Sequence, residues 1–206
     1  MHTWETRLVV RIAENPTHYP TAAFTMEMGE NAFGGDEILE QLHKIASLDG
    51  KLEFPEMHQL SGRESQTNWG ASGSFAEYVI EISANILSTA GAAGVGLLVH
   101  KAFSKIRARN DYHPEPLTLE AAQNLLKAHI SLHYDIPHEE LTEKESTSSL
   151  TDGAFTIVFF SPDGAEYGGS VGGEDPLQCT KVWRKNSGPA IRPEYRYITD
   201  DTGDIA

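Results

Sequence analysis

The chain has one cysteine, Cys179, among 206 residues. A single thiol excludes an internal disulfide and any metal site made of cysteines alone, which fits a reducing compartment. Basic residues are also scarce: 16 Lys and Arg face 30 Asp and Glu, for a formal charge of -14. Nucleic-acid binding takes much of its affinity from Lys and Arg that displace counterions, so this balance disfavours DNA or RNA as a partner. The acids, denser in the last third and ending in "DDTGDIA", read as a solvated surface that keeps the chain soluble. The first residues, "MHTWETRLVVRIAENP", lack a basic flank followed by a long apolar core and a small-residue cleavage site. No secretory leader is expected, and the cytoplasm is the default location.

Long apolar runs are missing too. The nearest approach is "SANILSTAGAAGVGLLVH", residues 83–100, which carries no formal charge if His is neutral but is rich in Gly, Ala, Ser and Thr. A bilayer span takes about 20 predominantly apolar residues, and Asn85, Ser88 and Thr89 weaken a run already short of that, so insertion in a membrane is disfavoured. A phosphate cradle needs its glycines between a strand and a helix start. Here they follow several expected helical turns, and "GAAGVG" has no Lys-Ser or Lys-Thr after it. The favoured reading is a tightly packed helix. Glycine costs about 1 kcal/mol relative to alanine there, a loss that close packing must offset. With Ile80, the residues Leu87, Gly91, Gly94 and Leu98 fall near one helical face, which makes them the candidate surface for a neighbouring sheet, a protein partner or a second copy of the chain.

The remaining pattern is ordinary for a mixed fold. "TRLVVRI" and "TAAFTMEM" read as strands because branched side chains suit a pleated, half-buried surface. "DEILEQLHKIAS" sets Ile38, Leu39, Leu42 and Ile45 at helical spacing, with Asp36 and Glu37 near the positive end of the helix dipole. "KLEF" suggests a short strand and "SGRESQTNWGASGS" a loop. The long helix is then expected from about Phe75 to Ala108, closed by Lys101, Lys105, Arg107 and Arg109. "NDYHPEP" suggests a boundary near residue 112, dividing the chain into 1–112 and 113–206. In the second part, "LTLEAAQNLLKAHISLHY" is a helix capped by Thr118 and stopped by Pro137. "GAFTIVFF", "SPDG" and "AEYGGSVGG" form a hairpin, and "LQCTKVWR" and "PEYRYIT" add two further strands. The expected class is α+β: a small sheet packed with a long Gly/Ala-rich helix, followed by a second α+β segment with a helix and an antiparallel meander.

Chemistry-bearing motifs are sparse. His129 and His133 stand four apart on an expected helix, so both imidazoles can reach one metal, as a metal-dependent hydrolase would require. Without the inner Glu of "HExxH", boundary or surface histidines are preferred, and no metal ligand or cofactor is assigned. Ser170 in "GGSVG" matches the GxSxG pattern, but no helix is expected after it. Cys179 reads as a strand cysteine, "DDTGD" as a polar tail, and Trp4, Trp69 and Trp183 as packing residues. The chain is therefore expected not to be an enzyme.

The order of strand "RLVVRI", helix "DEILEQLHKIAS", strand "GKLEF", loop "WGASGS" and a small-residue helix ending "LVHKAFSKIRAR" resembles the effector-associated constant component family of bacterial conflict systems. The resemblance covers roughly residues 3–110 and carries no catalytic motif. The family module usually closes with a short strand after the basic end, whereas this chain adds a helix and a hairpin region. The resemblance implies a non-enzymatic adaptor or regulatory component that binds a protein partner, an effector or a sensor. Two rival roles are a membrane-active protein that inserts helix 83–99 in lipid and a structural component of a larger assembly such as a virion.

Overall fold

The computed structural model describes residues 6–13, 18–28, 35–47, 58–67, 73–83, 85–107, 117–151, 153–172 and 180–185. Eight strands run through them: β1 (Thr6–Ala13), β2 (Ala22–Met28), β3 (His58–Thr67), β4 (Gly73–Ser83), β5 (Thr142–Ser148), β6 (Phe155–Phe160), β7 (Glu166–Val171) and β8 (Thr180–Lys185). Three α-helices, α1 (Gly35–Ala46), α2 (Asn85–Arg107) and α3 (Leu119–Tyr134), accompany them. The strands form one sheet in the order β3-β4-β1-β2-β8-β7-β6-β5. Only β1 and β4 pair in parallel; the other neighbours are antiparallel. The protein is thus α+β, as the sequence pattern implies.

Alternation along β1 and β2 decides where the helices go. Leu8, Val10 and Ile12 of β1 and Phe24, Met26 and Met28 of β2 point to one face, where they pack with Ile38, Leu42 and Ile45 of α1 and Val95, Val99, Phe103 and Ile106 of α2. Ala23 of β2 points the other way, into a second core made by Leu126 and Ile130 of α3 with Ile157, Phe159, Tyr167 and Val182. The two helical layers therefore cover opposite faces of the same sheet. β2 is the strand they share, and it meets β8 through four residue pairs, Ala22–Thr25 against Trp183–Thr180. The sheet is continuous across the expected boundary at residue 112.

The structure corrects the expectation of helix over residues 75–83. Gly73–Ser83 is strand β4, and α2 begins only at Asn85. Tyr78, Ile80 and Ile82 are buried in the first core at a period of two, while Glu77, Val79 and Glu81 are less buried and fall on the other face, so strand alternation overrides the helical count. Ile80 accordingly belongs to the sheet and not to α2. The expected loop "SGRESQTNWGASGS" is largely strand too, since β3 spans His58–Thr67 and pairs with β4 along its whole length. Strand β5, "TEKESTS", has no apolar signal because nearly all its side chains are exposed at the sheet edge. Its charges and a register shift between Glu143 and Glu145 are devices that discourage edge-to-edge pairing. "KLEF" and "PEYRYIT" lie outside the described residues.

Other expectations hold locally. The Thr118 hydroxyl caps α3 by accepting from the Ala121 N–H at 3.2 Å. That helix ends at Tyr134, where Asp135 takes a left-handed conformation (φ 56°) two residues before Pro137. "SPDG" is the turn between β6 and β7: Gly164 has φ 79°, and its N–H donates to the Ser161 carbonyl.

Candidate functional site

Two places bring polar side chains together at an element boundary. The first is a cleft of about 140 Å³ between α1 and α2. Its floor is apolar, from Ile45, Leu98 and Ala102, and its rim carries Lys44, Lys101 and Lys105. Both helices present their C-terminal halves here, where the negative end of each dipole favours lysine. Glu40 lies beside the rim and bonds Lys44 at 2.6 Å. That bond, with the charges of Lys44 and Lys105, holds the Glu40 carboxyl below the usual carboxylate range.

Of the four residues expected to form a packing or partner surface, Leu98 is the one whose side chain is described. It packs against the first core and also lines the cleft. Leu87, Gly91 and Gly94 belong to the first half of α2, and their side chains lie outside the described residues. Leu97, next in the chain to Leu98, is 71 % exposed, while Val95 and Val99 on either side are buried. Gly96 approaches the sheet, but loosely: a Cβ there would meet Phe24 Cζ at 4.0 Å, an ordinary contact. No helix among the described residues is long and apolar enough to cross a membrane.

The second place is the seam where α3, lying mainly across β7 and β8, reaches β2 at Thr25. The sequence places His129 and His133 at a boundary or surface; in the structure both are 4 % exposed. Helical spacing puts them one turn apart on the sheet-facing side, their rings stacked with centroids 6.3 Å apart and planes 18° apart. His133 Nε2 is 3.0 Å from the Thr25 hydroxyl of β2. His129 Nδ1 is buried without a hydrogen-bond partner among the described residues. Burial is the main reason the His129 imidazole is pushed down to about 4; the Glu27 carboxylate opposes this and the Arg7 guanidinium adds to it.

Beside the seam, Arg7 of β1 stands between two carboxylates supplied by its own register partners. It donates to Glu27 Oε1 through Nε (3.0 Å) and Nη2 (2.7 Å), and to Glu77 Oε1 at 3.4 Å. Sequence reasoning does not single these residues out. The available signal is the polar alternate in each strand, Arg7 and Arg11 in "TRLVVRI", which a half-buried strand places on one face. Next to the histidines, Tyr134 packs between Tyr19 and Tyr167 at ring-centroid distances of 6.2 and 5.3 Å, and burial raises its phenol well above the ordinary range.

Among the described residues, no three His, Cys, Asp or Glu side chains gather closely enough to hold a metal ion. Ser170 lies within β7, paired to Thr156 on one side and Lys181 on the other, away from any strand-to-helix turn. Cys179, Trp4, Trp69 and "DDTGD" lie outside the described residues. No family model, curated protein or solved structure matches the chain.

Proposed function

We propose that this chain is a non-enzymatic adaptor or regulatory component that binds a protein partner through the α1–α2 surface, in the manner implied by the resemblance to bacterial conflict-system modules. The supporting observation is Leu97, 71 % exposed beside a cleft whose floor includes Leu98 and whose rim carries three lysines. A large apolar side chain held outward on a well-packed helix, next to a concave apolar strip with a charged rim, has the make-up of an interface centre. Behind it, Val95, Val99, Phe103 and Ile106 of α2 are packed into the first core.

The test is co-purification from the native cell by mass spectrometry, followed by reconstitution of the purified pair. Wild type is compared with Leu97→Glu, Lys101→Glu and, as a remote control, Leu150→Ser in the β5–β6 turn. A partner retained by wild type and the control but lost by both α2 variants supports the adaptor reading. A partner held equally by all four proteins, or none recovered by any, overturns it.

A further inference from the structure

The α3–β2 seam holds His129 in surroundings that fit it only while it is uncharged. His129 and His133 are buried and stacked, Thr25 is 1 % exposed, and His129 Nδ1 has no hydrogen-bond partner among the described residues. A neutral imidazole tolerates one bare acceptor nitrogen. An imidazolium carries two N–H donors and a charge, and desolvating it is unfavourable unless both are met.

Around His129 the surrounding charges do not meet that demand. On β2, the nearby carboxylate is Glu27, which is already engaged by the Arg7 guanidinium of β1 at 2.7 Å. Arg11 of β1 and Glu77 and Glu81 of β4 occupy the same sheet face, and Glu77 also pairs with Arg7. From the other side come Tyr167 of β7 and Arg184 of β8, which bond each other at 3.1 Å; β6 offers only apolar side chains to α3. His138, Glu139 and Glu140 sit exposed in the short turn after α3, and Lys127 lies one helical turn before Ile130.

We propose that the His129–His133 pair is an acid-operated latch: protonation of His129 lifts the C-terminal half of α3 from the sheet and loosens the four-residue joint between β2 and β8. The latch sits where it has most leverage. Thr25, the partner of His133, is paired with Thr180 of β8, so the strand joint and the helix contact meet at one residue. Opening exposes Leu126, Ile130, Ala23 and Val182, all now at 0 % exposure. Since His129 is held near 4 against an ordinary 6.5, each pH unit between those values multiplies its open-to-closed ratio by about ten.

The experiment is hydrogen exchange read by mass spectrometry on the full chain from about pH 7.5 to about pH 4, corrected for intrinsic rates. Peptides covering 126–134 and 180–183 should lose protection before those covering 6–13 and 76–82. In a His129→Leu/His133→Met variant that early loss should disappear. The idea is overturned if all four segments open together, if the early loss survives in the variant, or if no segment opens. Should the variant not fold, imidazole titration by NMR in the wild type decides: the latch requires protonation of His129 to coincide with the opening of 126–134, and titration without opening overturns it.

Discussion

Trp183 of β8 stands opposite Gly168 of β7, its indole filling the space that a Cβ at residue 168 would need. On the other face of the same strand, a Cβ at Gly169 would run into the Lys181 carbonyl and come within 2.7 Å of Leu126 Cδ2. Both glycines are required by close approach, but the obstacles differ. An indole can tilt, whereas a carbonyl in the ladder cannot move without parting β7 from β8. Gly168→Ala should cost about 1–2 kcal/mol and Gly169→Ala about 3 kcal/mol or more, read as urea midpoints at constant m-value. Equal costs would remove the distinction.

Gly96 makes the opposite case. The nearest atom to an added Cβ is Phe24 Cζ at 4.0 Å, and the residue is in the middle of α2. Nothing crowds it, so the propensity penalty of glycine is uncompensated there. Gly96→Ala should stabilise the protein by about 0.5–1 kcal/mol, seen as a rise in Tm.

Arg7 is only 15 % exposed at its side chain and faces two carboxylates. Removing it leaves Glu27 and Glu77 close together without their shared counter-charge, a loss that exceeds the small worth of a solvent-exposed pair. Arg7→Met should cost about 1–3 kcal/mol, measured by urea unfolding. Arg7→Lys should recover part of it, because a single ammonium cannot repeat the two-nitrogen grip on Glu27 Oε1. By contrast Lys144→Ala, which breaks the exposed Lys144–Glu166 pair, should leave the urea midpoint nearly unchanged.

Global stability should follow the state of His129. Its folded value of about 4 is below the ordinary 6.5, so the unfolded chain takes up the proton first as the solution is acidified. The contribution is complete above about pH 6.5, shrinks as pH falls and is gone below about pH 4, a total of roughly 3 kcal/mol. Urea midpoints measured across that window should show this slope in wild type, and His129→Leu should flatten it.

How much of this is visible in the sequence depends on whether the signal is local. α1, α3 and its Thr118 cap, and the β6–β7 hairpin are readable because periodicity, capping chemistry and turn residues act within a few positions. β4 is hidden because the small-residue stretch beginning at 83 draws the helix backward over Tyr78, Ile80 and Ile82, whose period of two is the better guide. β5 is silent because an exposed edge strand needs no apolar face. The seam is half legible: the spacing of His129 and His133 is plain, but their burial depends on Thr25, far away in the chain. No local pattern carries a long-range contact of that kind.

The β2–β8 junction also has a bearing on how the protein is made. Thr25 leaves the ribosome long before its ladder partner Thr180. Until then, one edge of β2 has backbone groups with no strand to receive them, and Ala23 has no Val182 beside it. The nascent chain therefore passes through an interval with an unsatisfied strand edge, the condition under which β-rich chains mispair. Completion of the sheet waits for the last described strand, so truncations that remove β8 should yield a chain prone to self-association.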